Sequence, residues 1–192
     1  MASTLREWYF SAEWFQVLDF VEFCVKFRNE LPVELNKVFA SNFSAYRFVD
    51  SILVQINSEE EVVELESATQ NLDPTSPARE HLRQAMALFS DRKNPDYPNS
   101  IKESVSSVES VVRGLLGDEK ATLGAGLRKL EKEHGLPPTL KKAFSTLYGY
   151  TSDSGGIRHA MSVGDTPPGR PEARFMLVTC SAFVNYLITK LN

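Results

Sequence analysis

The stretch from Phe175 to Ile188 is apolar nearly all the way round when wound as a helix. A helix without a polar face must be buried on most of its sides. Glu172 to Leu191 is therefore expected to be the central helix of the C-terminal half, or one shared across a dimer. Other helices must pack around it, and the preceding sequence supplies them. Ile101, Val105, Val108, Val112 and Leu115 recur at spacings of four and three, a narrow apolar seam that Gly117 stops. Thr122 to His134 and Thr139 to Tyr148 read as two shorter helices separated by Gly135-Leu-Pro-Pro138.

The N-terminal half is also helical, with one exception. A first helix is expected from about Thr4 to Phe27, with Trp14, Val17, Leu18, Val21, Cys24 and Val25 on one buried face. Eight of the chain's 20 aromatic residues lie between Trp8 and Phe27. So wide an aromatic face is expected to be core, with an oligomer interface as the alternative. Pro32 opens a short helix to Ala40. Tyr46 to Ile56 is rich in β-branched and aromatic residues around Asp50-Ser51 and reads as a small β-hairpin within about 45–56. Ser58 followed three residues on by Glu61 is a capping box, opening a helix that ends before Asn71. Pro77 opens another, in which Leu82, Ala85, Met86 and Phe89 share a face. Ser90 to Pro98 is polar, contains two prolines and lacks apolar periodicity. It divides the chain into an N-terminal helical region, 1–92, and a helical bundle, 93–192. The fold class is mostly α, the two parts packed together.

Composition narrows the function classes. Hydrophobic residues make up 42% and charged residues 24%, enough apolar material for a core without disulfides or metals. Cys24 and Cys180 are far apart in apolar surroundings, which fits a reducing compartment. Asp19, Glu22 and Lys26 interrupt the hydrophobic run from Trp14 to Phe27, so it is not a membrane span. No secretory signal pattern opens the sequence, and cytoplasm is the expected location, without membrane association. Residues 1–92 carry 8 Lys+Arg against 15 Asp+Glu, while 93–192 carry 13 against 10. The C-terminal half is thus the part expected to face any polyanion. His81, His134 and His159 lack ligand spacing, and no CxxC, HExxH or EF-hand pattern occurs, so neither a metal nor a cofactor is expected. Gly114 to Gly117 and Leu123 to Gly126 lack the following Lys-Ser/Thr of a phosphate loop and read as helix ends and close packing.

The segment of most chemical interest is Asp153-Ser-Gly-Gly-Ile-Arg-His159. Its glycines allow a sharp turn, and Arg158 and His159 sit together at the mouth of the loop. An arginine holds phosphate with a planar fork, and a histidine titrates near neutrality. The pair has the chemistry to bind RNA phosphate and exchange protons with a 2′-hydroxyl. The plainer alternative is an Arg158–Glu109 ion pair, with His159 hydrogen-bonded in a helix junction. Glu109 falls at the edge of the apolar seam and can reach a neighbouring helix, whereas Glu103 is expected to be solvated. Lys141-Lys142 beside Phe144 reads as a solvated helix face sooner than an RNA platform.

Five blocks in order resemble the AbiJ-type HEPN domains of abortive-infection proteins. They are Asp96 to Glu109, Thr122 to Leu130, Ala143 to Asp153, Gly155-Gly-Ile-Arg-His-Ala160 and Phe175 to Tyr186. The likeness covers about 95–190, with weaker echoes at Tyr46 to Asp50 and Arg79 to Leu82. The resemblance implies a HEPN-like helical bundle in the C-terminal half that pairs as a homodimer around a shared cleft. It also implies antiviral defence, in many relatives through metal-independent RNA cleavage. The family's signature is an Arg followed after four to six residues by a His, whereas here His159 follows Arg158 directly. Arg158 therefore takes the place of the motif arginine and His159 that of a displaced histidine, with Glu109 and Tyr150 in support. The alternative is a non-catalytic HEPN module for dimerisation, sensing or docking onto a defence-system partner. RNA and such a protein are the partners implied.

Overall fold

The computed structural model describes residues 2–153 and 167–191, which form nine helices and one two-stranded sheet. This is the mostly α architecture expected, with the hairpin in its place. The chain divides into two compact units, Met1–Asn57 and Ser58–Asn192.

In the first unit, α1 (Ala2–Ser11) and α2 (Trp14–Val25) replace the single helix expected over about 4–27. The break lies at Glu13, whose backbone is extended with φ −67° and ψ 147°. Its N–H donates to Gln16 Oε1 at 2.9 Å, so Glu13 caps a new helix instead of continuing the old one. Leu18, Val21 and Val25 line one side of α2 and pack with Phe48 and Leu53. At about 100° per residue, Phe20, Phe23 and Phe27 fall on the opposite side, where all three are exposed. The expectation of an aromatic core face is corrected accordingly. The short aliphatic side chains take the core side, and the rings, with Trp14, stay outside.

Pro32 lies in the first turn of α3 (Leu31–Ser41), which packs on β1 (Arg47–Val49). β1 pairs antiparallel with β2 (Ile52–Val54), Val49 opposite Ile52. Asp50 and Ser51 make the connecting turn with φ of 47° and 65°. Positive φ at both central positions is the turn whose twist matches that of the flanking strands. Side chains take up the outer edges of this small sheet. Asn36 donates to the Phe48 carbonyl at 2.8 Å and accepts from the Phe48 N–H at 2.7 Å. Glu22 accepts from the Leu53 N–H at 3.1 Å. They do for the hairpin what neighbouring strands do in a larger sheet.

The second unit is a bundle of α4 (Glu59–Asn71), α5 (Pro77–Ser90), α6 (Tyr97–Leu116), α7 (Leu123–His134), α8 (Pro138–Asp153) and α9 (Arg170–Leu191). Ser58 Oγ accepts from the Glu61 N–H as expected. The reciprocal half of the capping box is displaced, because the Glu61 carboxylate pairs with Arg174 on α9. Ser90 to Pro98 joins α5 to α6 inside this unit.

Two buried serines set the register of that helix pair. Ser100 Oγ donates to the Ala85 carbonyl and Ser107 Oγ to the Ala78 carbonyl, both at 2.8 Å. Seven residues forward on α6 thus match seven back on α5, and the small side chains let the two backbones approach closely. Gly117 ends α6 with φ 60°, and the Asp118 N–H returns to the Arg113 carbonyl at 3.1 Å. A Cβ at Gly126 would overlap the Val112 side chain, so glycine is what brings α7 against α6. α9 packs against α4, α5 and α6 and buries Met176, Leu177, Phe183, Val184 and Leu187, the central role expected of it. Among the described residues, no helix is long and apolar enough to cross a membrane.

Candidate functional site

Two polar centres of the second unit lie along α6. The first is His81 on α5 facing Glu103, with Nδ1 and Oε2 2.6 Å apart. The register explains the meeting, since His81 lies between Ala78 and Ala85 while Glu103 lies between Ser107 and Ser100. The contact joins a ring nitrogen, donor or acceptor according to the tautomer, to a carboxylate oxygen. The side chains are 37% and 13% exposed, placing the pair at the rim of the helix contact. The expectation that Glu103 is solvated is corrected, because α5 covers that side of α6.

Glu109 is six residues further along and about a third of a turn round. Its Oε1 accepts from the Leu123 N–H at 3.1 Å and pairs with Arg113 at 3.2 Å. Arg113 Nε in turn donates to the Ala121 carbonyl at 2.9 Å. A carboxylate at the first residue of α7 meets the positive end of that helix and satisfies an amide with no partner inside it. Glu109 thus braces the turn between α6 and α7. Tyr150 lies half-buried in the last turn of α8. Arg158 and His159 lie outside the described residues.

Other chemistry-bearing groups serve packing. Lys141 pairs with Glu131 across α7 and α8, while the Phe144 ring stacks on Phe183 of α9. That stacking occupies the ring a base would need for an RNA platform there. Val105, Val108, Phe144, Met176 and Cys180 line a narrow apolar cleft. Burial pushes the Cys180 thiol up to about 12, which removes it as a nucleophile near neutral pH. Among the described residues, no group of three His, Cys, Asp or Glu side chains is placed to hold a metal ion.

The His81–Glu103 pair was not foreseen as a site. Its signal was the run Ser100, Ser104, Ser107 beside the apolar seam, which marks the side of α6 where another backbone comes close.

Residues 1–71 match the family model of AbiJ N-terminal domain 4. The matched stretch spans the whole first unit and α4. It supports an AbiJ-type abortive-infection domain in that part of the chain and an association with phage defence. No curated protein and no solved structure matches the chain.

Proposed function

We propose that this chain acts in bacterial abortive infection as a metal-independent ribonuclease, with residues 93–192 forming a HEPN-like bundle that pairs in a homodimer. The match of residues 1–71 to AbiJ N-terminal domain 4 carries the defence reading. The family likeness of residues 95–190 supplies the reaction, as an analogy of sequence. Arg158 holds the scissile phosphate, and His159 takes the proton of the 2′-hydroxyl as that oxygen attacks phosphorus. The bond to the 5′-oxygen breaks as that oxygen takes a proton from water, leaving a 2′,3′-cyclic phosphate on one product and a 5′-hydroxyl on the other. RNA, a second copy and a defence-system protein are the partners of this reading, and the cytoplasm is its location.

A non-catalytic module for sensing or docking is the second reading, and one observation favours it. Glu109, the acid expected to support the Arg–His pair, is engaged by Arg113 and the start of α7. The test is incubation with tRNA in EDTA, beside an Arg158→Ala, His159→Ala double variant. Cleavage with cyclic-phosphate ends by the wild type alone is expected. Cleavage that persists in the variant removes both residues from the reaction, and intact RNA in both lanes favours the docking module.

A further inference from the structure

Within the second unit, α4 is secured by other means than α6 and α9. α6 buries Ile101, Val105, Val108, Val111 and Val112, and α9 buries Met176, Leu177, Phe183, Val184 and Leu187. Of its own apolar side chains α4 buries Val62, Leu65 and Ala68 and leaves Val63 exposed. It packs on α9 and far less on α5. Two large apolar side chains and one alanine give it much less hydrophobic stabilisation than five large ones give its neighbours.

The rest of its attachment to α9 is polar. Arg174 Nε and Nη2 donate to Glu61 Oε2 at 2.9 and 2.5 Å. Asn185 Nδ2 donates to the Glu64 carbonyl at 3.0 Å and to the Glu64 carboxylate at 2.8 Å, and Asn71 donates to Asn185 Oδ1 at 3.2 Å. At about 100° per residue, Arg174, Val178, Ser181 and Asn185 make one row along α9. Both ends of that row bond to α4, and only small side chains lie between them. The Arg174 and Glu61 side chains are 37% and 27% exposed, so water competes for the pair.

The helix is also poor at holding itself together. Its 13 residues include five glutamates and no Lys or Arg, and Glu60 and Glu61 repel Glu64 at four and three residues' distance. A helix of this length is marginal in water without a packing partner. Glu66 is half-buried with no partner among the described residues, and loss of water holds its carboxyl above the usual range. A carboxylate that loses water and gains no partner favours the open state. The position of α4 in the chain gives such an opening a use. It is the last helix of the stretch matching AbiJ N-terminal domain 4, and only residues 55–58 separate it from β2. We propose that α4 is a strap that opens from α9 as one piece while α5, α6 and α9 stay folded, uncovering the row from Arg174 to Asn185.

Amide hydrogen exchange of the full chain, followed residue by residue at denaturant concentrations below the unfolding transition, tests this. Leu65, Glu66 and Ala68 are expected to show one common protection factor with one shallow dependence on denaturant. That factor should lie at least about 100-fold below those of Val105, Val108 and Val112 on α6. In the Arg174→Ala, Asn185→Ala variant, protection in α4 should fall about tenfold further, with α6 unchanged. Three results overturn the proposal. The first is equal protection of α4 and α6 in the wild type, which means that α4 opens only in global unfolding. The second is separate protection factors along α4 with no denaturant dependence, which is fraying of the helix and not release of a strap. The third is a double variant that loses as much protection in α6 as in α4. The first two are read on the wild type alone, so they stand whether or not the variant folds.

Discussion

The two units use apolar residues in opposite ways. Among the described residues 32 hydrophobic side chains are buried, 26 in the second unit and six in the first, five of those six between Phe48 and Ile56. Of the 12 exposed large hydrophobics among the described residues, ten lie in the first unit. Both units are predominantly helical, so the difference is not one of secondary structure. In the second, each helix turns its apolar stripe toward a neighbour. In the first, the hairpin and the aliphatic side of α2 close a small core with Leu31, Leu35 and Phe39, and the aromatic side of α2 is exposed.

The contrast is broken most directly by substituting in the tighter core. Leu177 is fully buried in α9, the helix packed against α4, α5 and α6. Leu177→Ala should cost about 2–5 kcal/mol in denaturant unfolding, as truncations in rigid cores do. A loss below about 1 kcal/mol would mean that the second unit collapses around the missing atoms and is no better packed than the first. A smaller effect is expected at Asn36, which alone satisfies both the N–H and the carbonyl of Phe48. Asn36→Ala should cost about 1–3 kcal/mol and speed amide exchange at Phe48. Unchanged exchange there would show that the hairpin does not depend on α3 for its edge.

Much of this arrangement was legible in the sequence, and the illegible parts share a physical cause. The hairpin announced itself through β-branched residues around Asp50-Ser51, α6 through its four-and-three seam and Gly117, and α9 through its missing polar face. Periodicity shows that α2 has apolar residues on two sides but not which side is covered. Whether Phe20, Phe23 and Phe27 are core depends on how little the rest of the unit offers them. The break at Glu13 escaped because glutamate is a weak cap, and it is Gln16 that answers its N–H. His81 and Glu103, 22 residues apart, meet only because two serine hydroxyls fix the α5–α6 register. Glu109 was expected to reach a neighbouring helix and does, but what it reaches is a backbone amide, which no pairing of side chains announces.

The smallest effect belongs to the loops that bracket α5, and it sharpens the contrast from the side of charge. After the helix, Asp91 accepts from the N–H groups of Lys93 and Asn94, both at 2.8 Å. Before it, Asp73 accepts from Thr75 through both hydroxyl and N–H. Hydrogen bonds to the ionised form hold both carboxyls below their usual range, those from Asn94 and Lys93 for Asp91 and those from Thr75 for Asp73. A carboxyl lowered in the folded state stabilises the fold above its unfolded pKa, and that contribution fades as pH falls through the folded value. Asp91 is solvent-exposed, so its share should stay under about 1 kcal/mol. Asp91→Asn should lower the unfolding temperature slightly near neutral pH and leave it unchanged once the pH is below the lowered folded value. An equal loss at both pH values would assign the effect to turn geometry, with the charge playing no part. The stability of the second unit would then rest on its packing alone.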